Sequence, residues 1–323
     1  MAGSMCATTA LLMSVLAVRP AQVSHPTGDP SFAVMQAFPS AFTAQEADPF
    51  LMADLFGPKR SEGPPADPDE FPIGWHPHRG MDIATYLVQG RGRHADSLGN
   101  RGSYSAPGMQ WVSVGSGIEH AEAFETPAGD ETMGFQIWVN VPSARKMADP
   151  RYGTVHPNEL PLVQLGHGAT ARVLAGTTAG VTGPFATVQP LQMIDLTLPA
   201  GATVEHEVPA ELNNALAFVF RGAAKVGDGQ SLRVHDVVRF DATDPARRTL
   251  RITAAGAAGA SVLLFAGRRL EQPIAWRGPF VMTTDAELAQ TMAEYRRGAF
   301  PPVRVVWDYR RLEAFPASWN ASL

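Results

Sequence analysis

The feature that most narrows the fold is the spacing of the chain breakers: 30 glycines and 27 prolines are scattered through 323 residues without a period. In a helix interior glycine costs about 1 kcal/mol and proline about 3 kcal/mol relative to alanine. Breakers this frequent disfavour long helices, and the missing period excludes collagen. Short strands joined by tight turns fit between them. The predicted strands, rich in branched and aromatic residues, are residues 81–89, 110–114, 119–124 and 134–139. At lower contrast, 186–188, 192–198, 203–208, 215–220, 236–240, 250–253 and 261–266 follow. One helix is predicted, a scaffold element. Thr284 is its N-cap, with Glu287 three places on in a capping box. Leu288, Met292 and Tyr295 share a face, and Arg296, Arg297 and Gly298 suit its end.

Two successive all-strand blocks of about 100 residues each predict two small barrels or sandwiches. A short strand and the segment DPFLMADLFGP lead in, and the proline-rich stretch Lys59 to Glu70 reads as an exposed polar loop. The formal charge is −5, with no Lys/Arg run, which argues against a direct nucleic-acid role. Cys6 is the only cysteine, so no internal disulfide forms. The apolar run Cys6 to Val18 has no Lys or Arg ahead of it, unlike a secretory signal, and is too short to span a bilayer. No phosphate loop, dinucleotide fingerprint or paired-cysteine zinc spacing occurs, and Gly115-Ser116-Gly117 lacks the nucleophile-elbow pattern.

Three of the nine histidines stand in two short pairs: His76-Pro77-His78, and 42 residues later His120-Ala121-Glu122. In an extended chain alternate side chains point the same way. If both segments face one barrel interior, three imidazoles meet a carboxylate, a donor set that suits iron, nickel, copper or zinc. An isolated His-x-His arises by chance in many chains. Here the flanking turns Arg79-Gly80 and Gly115-Ser116-Gly117 add weight. Four donors leave two octahedral positions for dioxygen and a substrate oxygen, or for two waters, whereas zinc would close as a four-coordinate structural site. His94 reads as a surface strand histidine before a substrate contact or an outer donor. Asp82 reads as structural, or as a carboxylate orienting a ligand imidazole, before a ligand itself. Gln110, Trp111 and Trp138 are expected to line the cavity or pack beneath it. His206 and His235 have no partner of this kind, so one metal site is expected, in the first half.

Several segments together resemble the pirin family: Asp48-Pro49-Phe50-Leu51, His76-Pro77-His78-Arg79-Gly80, residues 96–102 (DSLGNRG) and Pro107-Gly108-Met109-Gln110-Trp111. So do residues 115–122 (GSGIEHAE), Gln136-Ile137-Trp138-Val139-Asn140 and Gly278-Pro279-Phe280-Val281-Met282. The resemblance implies an all-β bicupin: two antiparallel β-barrel (jelly-roll) domains with a short C-terminal helix. It implies metal only in the first barrel, on His76, His78, His120 and Glu122, with Fe(2+) the expected ion and another divalent transition metal the alternative. Asp82 stands where the family has a glutamate near the site, and Glu119 replaces the leucine of the usual Gly-Ile-Leu-His run. The expected organisation is an extension outside the fold at 1–17, an N-terminal cupin at 18–145 and a connecting segment at 146–184. A C-terminal cupin without metal at 185–300 and a tail at 301–323 complete it. The resemblance implies a cytoplasmic monomer without membrane or direct nucleic-acid contact. Two functions follow from it. One is a quercetin 2,3-dioxygenase-like enzyme acting on a flavonol or similar small aromatic ring, with Glu122 taking the substrate hydroxyl proton. The alternative is a non-enzymatic, iron-binding redox sensor that binds a protein partner.

Overall fold

A computed structural model describes residues 11–26, 28, 32–67 and 69–311. Cys6, residues 1–10 of the expected extension and residues 312–323 of the expected tail lie outside them. Two barrels of like construction are present, each a seven-stranded sheet facing a four-stranded one. In the first barrel the large sheet runs Arg151–Val155, Gly108–Ser113, Met81–Gln89, Glu131–Asn140, Phe50–Arg60, Val34–Phe38, Gln22–Ser24. The small sheet runs Ile73–His78, Ile118–Phe124, Arg91–Asp96, Arg101–Ser105. All strand pairings in the two barrel sheets of the first barrel are antiparallel.

Period-two burial explains how the large sheets meet. Along Glu131–Asn140, Phe135, Ile137 and Val139 enter an apolar cluster shared with Leu216, Phe218, Phe220 and Phe265 of the second barrel. Gln136 and Trp138 turn the other way, into the first barrel. Edge-on rings seal the contact, with Phe135 5.2 Å from Phe220 and Phe50 5.1 Å from Phe265. Inside the second barrel Ile194, Leu196, Val219, Ile252, Val262 and Leu264 form an aliphatic filling. Its buried His206 bonds Gln192 Oε1 at 3.1 Å, and burial lowers its pKa to about 4.

The strand predictions at 81–89 and 236–240 match in full, 134–139 is extended to Glu131–Asn140, and the others that form shift by a residue or two. Residues 186–188 are not a strand, and Phe50–Arg60 is an 11-residue core strand running into the expected loop. The helix spans Asp285–Arg296 with its capping box formed, although Thr291, not Tyr295, is the buried residue beside Leu288.

The expected boundaries need correction. Residues 15–17, expected in the extension, and 18–20, expected in the N-terminal cupin, form one strand, Val15–Pro20, that pairs with Asp236–Phe240 in the second barrel, and Met13 is buried in that barrel's core. Leu162–Gly166 and Ala169–Ala175, expected as connection, also belong to the second barrel, while Arg151–Val155 belongs to the first. Residues 275–311 leave the second barrel and return to the first, where Phe280 bridges Arg79 and Val281 joins the apolar cluster of Met81 and Ile118. Local pattern marks a strand but not its partner, and these pairings close over long stretches of chain. Among the described residues no helix is long and apolar enough to cross a membrane.

Candidate metal centre

Ile73–His78 and Ile118–Phe124 lie side by side, with His76 opposite His120 and His78 opposite Ile118. Alternation turns His76, His78, His120 and Glu122 inward and Trp75, Pro77 and Glu119 outward. The register shifts between His120 and Glu122, so Glu122 stands opposite Ile73 on one side and His94 on the other. The structure thus brings all four predicted donors to one barrel interior.

The three imidazoles converge, with ring centres 4.3 Å apart for His76 and His120 and 4.9 Å apart for His78 with either. His76 holds the Gly74 carbonyl through Nδ1 at 2.7 Å, which leaves its Nε2 as a lone pair. That Nε2 faces Nε2 of His120 at 2.9 Å. Without an ion between them this is a hydrogen bond in which His120 donates its Nε2–H to His76, and a metal taking both nitrogens would displace that proton. Two nitrogens each about 2.1 Å from one cation, at right angles, stand about 3.0 Å apart, so the observed spacing fits a shared ion. The ring nitrogens of His78 and Nδ1 of His120 are buried without a hydrogen bond of normal geometry. Burial, followed by the neighbouring His76, pushes the pKa of both His78 and His120 well below the ordinary histidine value. Both rings are neutral at physiological pH, the state a metal requires.

Glu122 is 9% exposed, and its Oε1 accepts the Gln110 amide at 2.7 Å. Gln110 also donates to Thr85 at 3.0 Å, and Thr85 donates to Gln136 at 2.6 Å. A carboxylate held by a neutral donor chain keeps its position without losing its charge to a cation partner. Among the described residues, two groups have donor atoms within 4.8 Å of one another: His76, His78 and His120, and His94, His120 and Glu122. Both lie in the first barrel, and they share His120.

His94 differs from its expected surface place. It is fully buried, bonds Asp96 Oδ2 through Nε2 at 3.0 Å, and stacks on Tyr152 with ring centres 4.4 Å apart. Asp82 does not orient a ligand imidazole. It accepts the Trp111 indole N–H at 3.1 Å on the face shared with Ala84 and Tyr86, away from the interior. Gln110 and Trp138 line the site, Trp138 with its ring centre 5.2 Å from that of His78, whereas Trp111 packs toward Phe185 between the barrels. The loop after Phe50–Arg60 walls a cavity of about 700 Å³ lined by Phe56, Phe124, Pro64, Pro72 and Ile73. Phe124 lies two residues beyond Glu122 and Ile73 stands opposite Glu122, but none of the four predicted donors lines this cavity.

Sequence reasoning missed Thr85, Gln136 and Tyr152, whose roles rest on contacts between separate strands. It also missed the C-terminal residues: Arg304, Tyr309 and Arg310 fold back onto Ser116, Gly117 and Glu119. The one available signal was Glu119, a charge inside an otherwise apolar and small-residue run. The structure does turn it away from the histidines.

Comparison with known proteins agrees with this architecture. The family description Pirin matches residues 31–139, and Pirin C-terminal cupin domain matches residues 193–301. A pirin-like protein of Caulobacter vibrioides is 37% identical over 268 residues, covering 80% of this chain and 89% of its own. A Pseudomonas aeruginosa protein provisionally named a quercetin 2,3-dioxygenase is 32% identical, over 85% of this chain and 94% of its own. The solved structure of a quercetin 2,3-dioxygenase from Acinetobacter baumannii superposes with a TM-score of 0.80 at 28% identity, covering 90% of this chain and 99% of that one. A bacterial pirin from Escherichia coli, solved in complex with nickel(II), shares the fold with a TM-score of 0.57 at 18% identity, over 78% and 99% of the two chains.

Proposed function

Since the chain belongs to the pirin family, we propose that it is a metal-dependent dioxygenase acting on a flavonol such as quercetin or a related oxygenated ring. His76, His78, His120 and Glu122 are the proposed ligands and Fe(2+) the proposed ion. The observation that carries the reading is the convergence of three imidazoles, two of them held neutral by burial, beside a carboxylate tethered by Gln110. The bound ion would supply Lewis acidity toward an ionised substrate hydroxyl and a route for electrons to dioxygen. The chain supplies the rest. Glu122, with one oxygen held by Gln110, takes the hydroxyl proton and becomes a weaker ligand as it does so. Ile73, opposite Glu122 in the neighbouring strand, and Phe124, two residues beyond it, are the apolar side chains proposed to meet an aromatic ring. The names of the Pseudomonas and Acinetobacter relatives support this substrate class.

The non-enzymatic reading, a redox sensor that binds a protein partner, draws on the second barrel, whose filled aliphatic interior leaves its outer surface as its available working part. Anaerobic loading with Fe(2+), followed by oxygen-electrode measurement with a flavonol panel, separates the two. Oxygen uptake by the wild-type chain and none by His76→Ala is expected for the enzyme. Stoichiometric iron with equal background uptake in both would overturn the enzymatic reading.

A further inference from the structure

Ile73–His78 is an edge strand. It carries two of the four proposed ligands, yet among the described residues its one strand partner is Ile118–Phe124, and that pairing slips between His120 and Glu122. An edge strand held on one side is free to fray, and fraying here would separate His76 and His78 from His120. The outer face of this strand pair is covered by the chain's own C-terminal segment.

Tyr309 touches both strands. Its ring lies edge-on to Trp75, centres 5.2 Å apart, and its hydroxyl donates to Glu119 Oε2 at 2.6 Å. Arg310 adds two donors to the same oxygen, Nε at 3.1 Å and Nη2 at 2.6 Å. Glu119 is left 4% exposed and opposite Pro77, so this contact sits directly behind the ligands. The segment is anchored before it arrives. Phe300 lies against Gly117, with the Arg79 guanidinium 4.6 Å from its ring centre, and Arg304 holds the Gly117 carbonyl at 2.9 Å and Ser116 Oγ at 2.7 Å.

We infer that residues 299–311 form a retention strap: Tyr309 joins Trp75 on one ligand strand to Glu119 on the other, with Arg310 fixing Glu119, and so keeps the two donor pairs, His76 with His78 and His120 with Glu122, in register for metal binding. The inference rests on the proposed ligand set. Tyr309 and Arg310 are positioning residues; neither side chain reaches the interior donors. A charged oxygen accepting three donors in a buried place is a strong local tie. Partners bonded directly to a ligand are worth about 10–100-fold in metal affinity, and a tie acting through the strand is expected at the low end of that range.

The test uses the full chain loaded anaerobically with Fe(2+), and measures the rate at which a chelator strips the ion. Tyr309→Ala and Glu119→Leu are expected to lose iron at least about tenfold faster than wild type. Both should show a smaller metal-induced rise in Tm and faster amide exchange over residues 73–78. Arg310→Ala and Tyr309→Phe, each removing part of the tie, should fall between and keep the test informative if a larger change prevents folding. A lower Tm of the metal-free variants with unchanged stripping rate and unchanged metal-induced rise would mean a merely structural contact, and would overturn the strap. Failure of the wild-type chain to take iron would instead overturn the ligand reading on which the strap depends.

Discussion

Replacing Asp82 by asparagine tests whether this carboxylate belongs to the fold or to the metal. Asp82 is 3% exposed, and burial raises its pKa from the ordinary 3.8 to about 6, against the opposing hydrogen bonds of Trp111 and Ser113. That gap is worth about 3 kcal/mol between the protonated and ionised forms. The folded value lies above the unfolded one, so the folded chain holds the proton more tightly. Its stabilising contribution is complete below about pH 3.8 and is lost as pH rises through about 6. Asparagine retains an oxygen for the Trp111 N–H and removes the charge. Between about pH 5 and about pH 8 the wild-type chain should therefore lose about 1.5 kcal/mol relative to Asp82→Asn, a little over tenfold in the folding equilibrium. Urea unfolding of the metal-free proteins at both pH values measures this. Because Asp82 faces away from the histidines, the variant should also load metal with wild-type affinity. Parallel stability curves would refute the burial argument, and a large loss of metal affinity would refute its placement.

Gln110→Leu leaves Glu122 Oε1 without its amide donor; metal affinity by chelator competition should fall at least about tenfold, and equal affinity would remove Gln110 from the centre. Tyr86→Phe deletes a 2.6 Å hydroxyl bond that reaches from the first barrel to buried Asp195 of the second. Asp195 Oδ1 already lacks a partner, so equilibrium unfolding should show a loss of about 1–3 kcal/mol, and no loss would mean that the bond does not couple the barrels. Gly117→Ala places a Cβ 2.2 Å from Phe300 at a φ of +125°, a backbone state that costs a side chain about 1–3 kcal/mol. Thermal unfolding should shift down, and an unshifted curve would mean that Phe300 moves aside freely.

Much of this protein follows from local pattern. Strands such as Met81–Gln89 and Asp236–Phe240 are marked by branched and aromatic residues between breakers, and the capping box at Thr284 is complete within four residues. The donor pairs were legible because alternation places His76 with His78 and His120 with Glu122 whatever the strands pack against. Sequence also carried the family resemblance, and with it the bicupin fold.

The tertiary structure decided which barrel each strand joins and which face of a strand is covered. His94, expected at the surface, is buried beside His120, and Asp82, expected as structural or near a ligand imidazole, is turned toward the second barrel. Val15–Pro20 crosses to a sheet more than 200 residues away, and Tyr309 to a strand nearly as distant. Period-two alternation identifies the two faces of a strand, but which face is buried depends on the partner layer. That layer comes from remote chain whose pairing has no local signature, so the sequence set the donors and the packing set what surrounds and holds them.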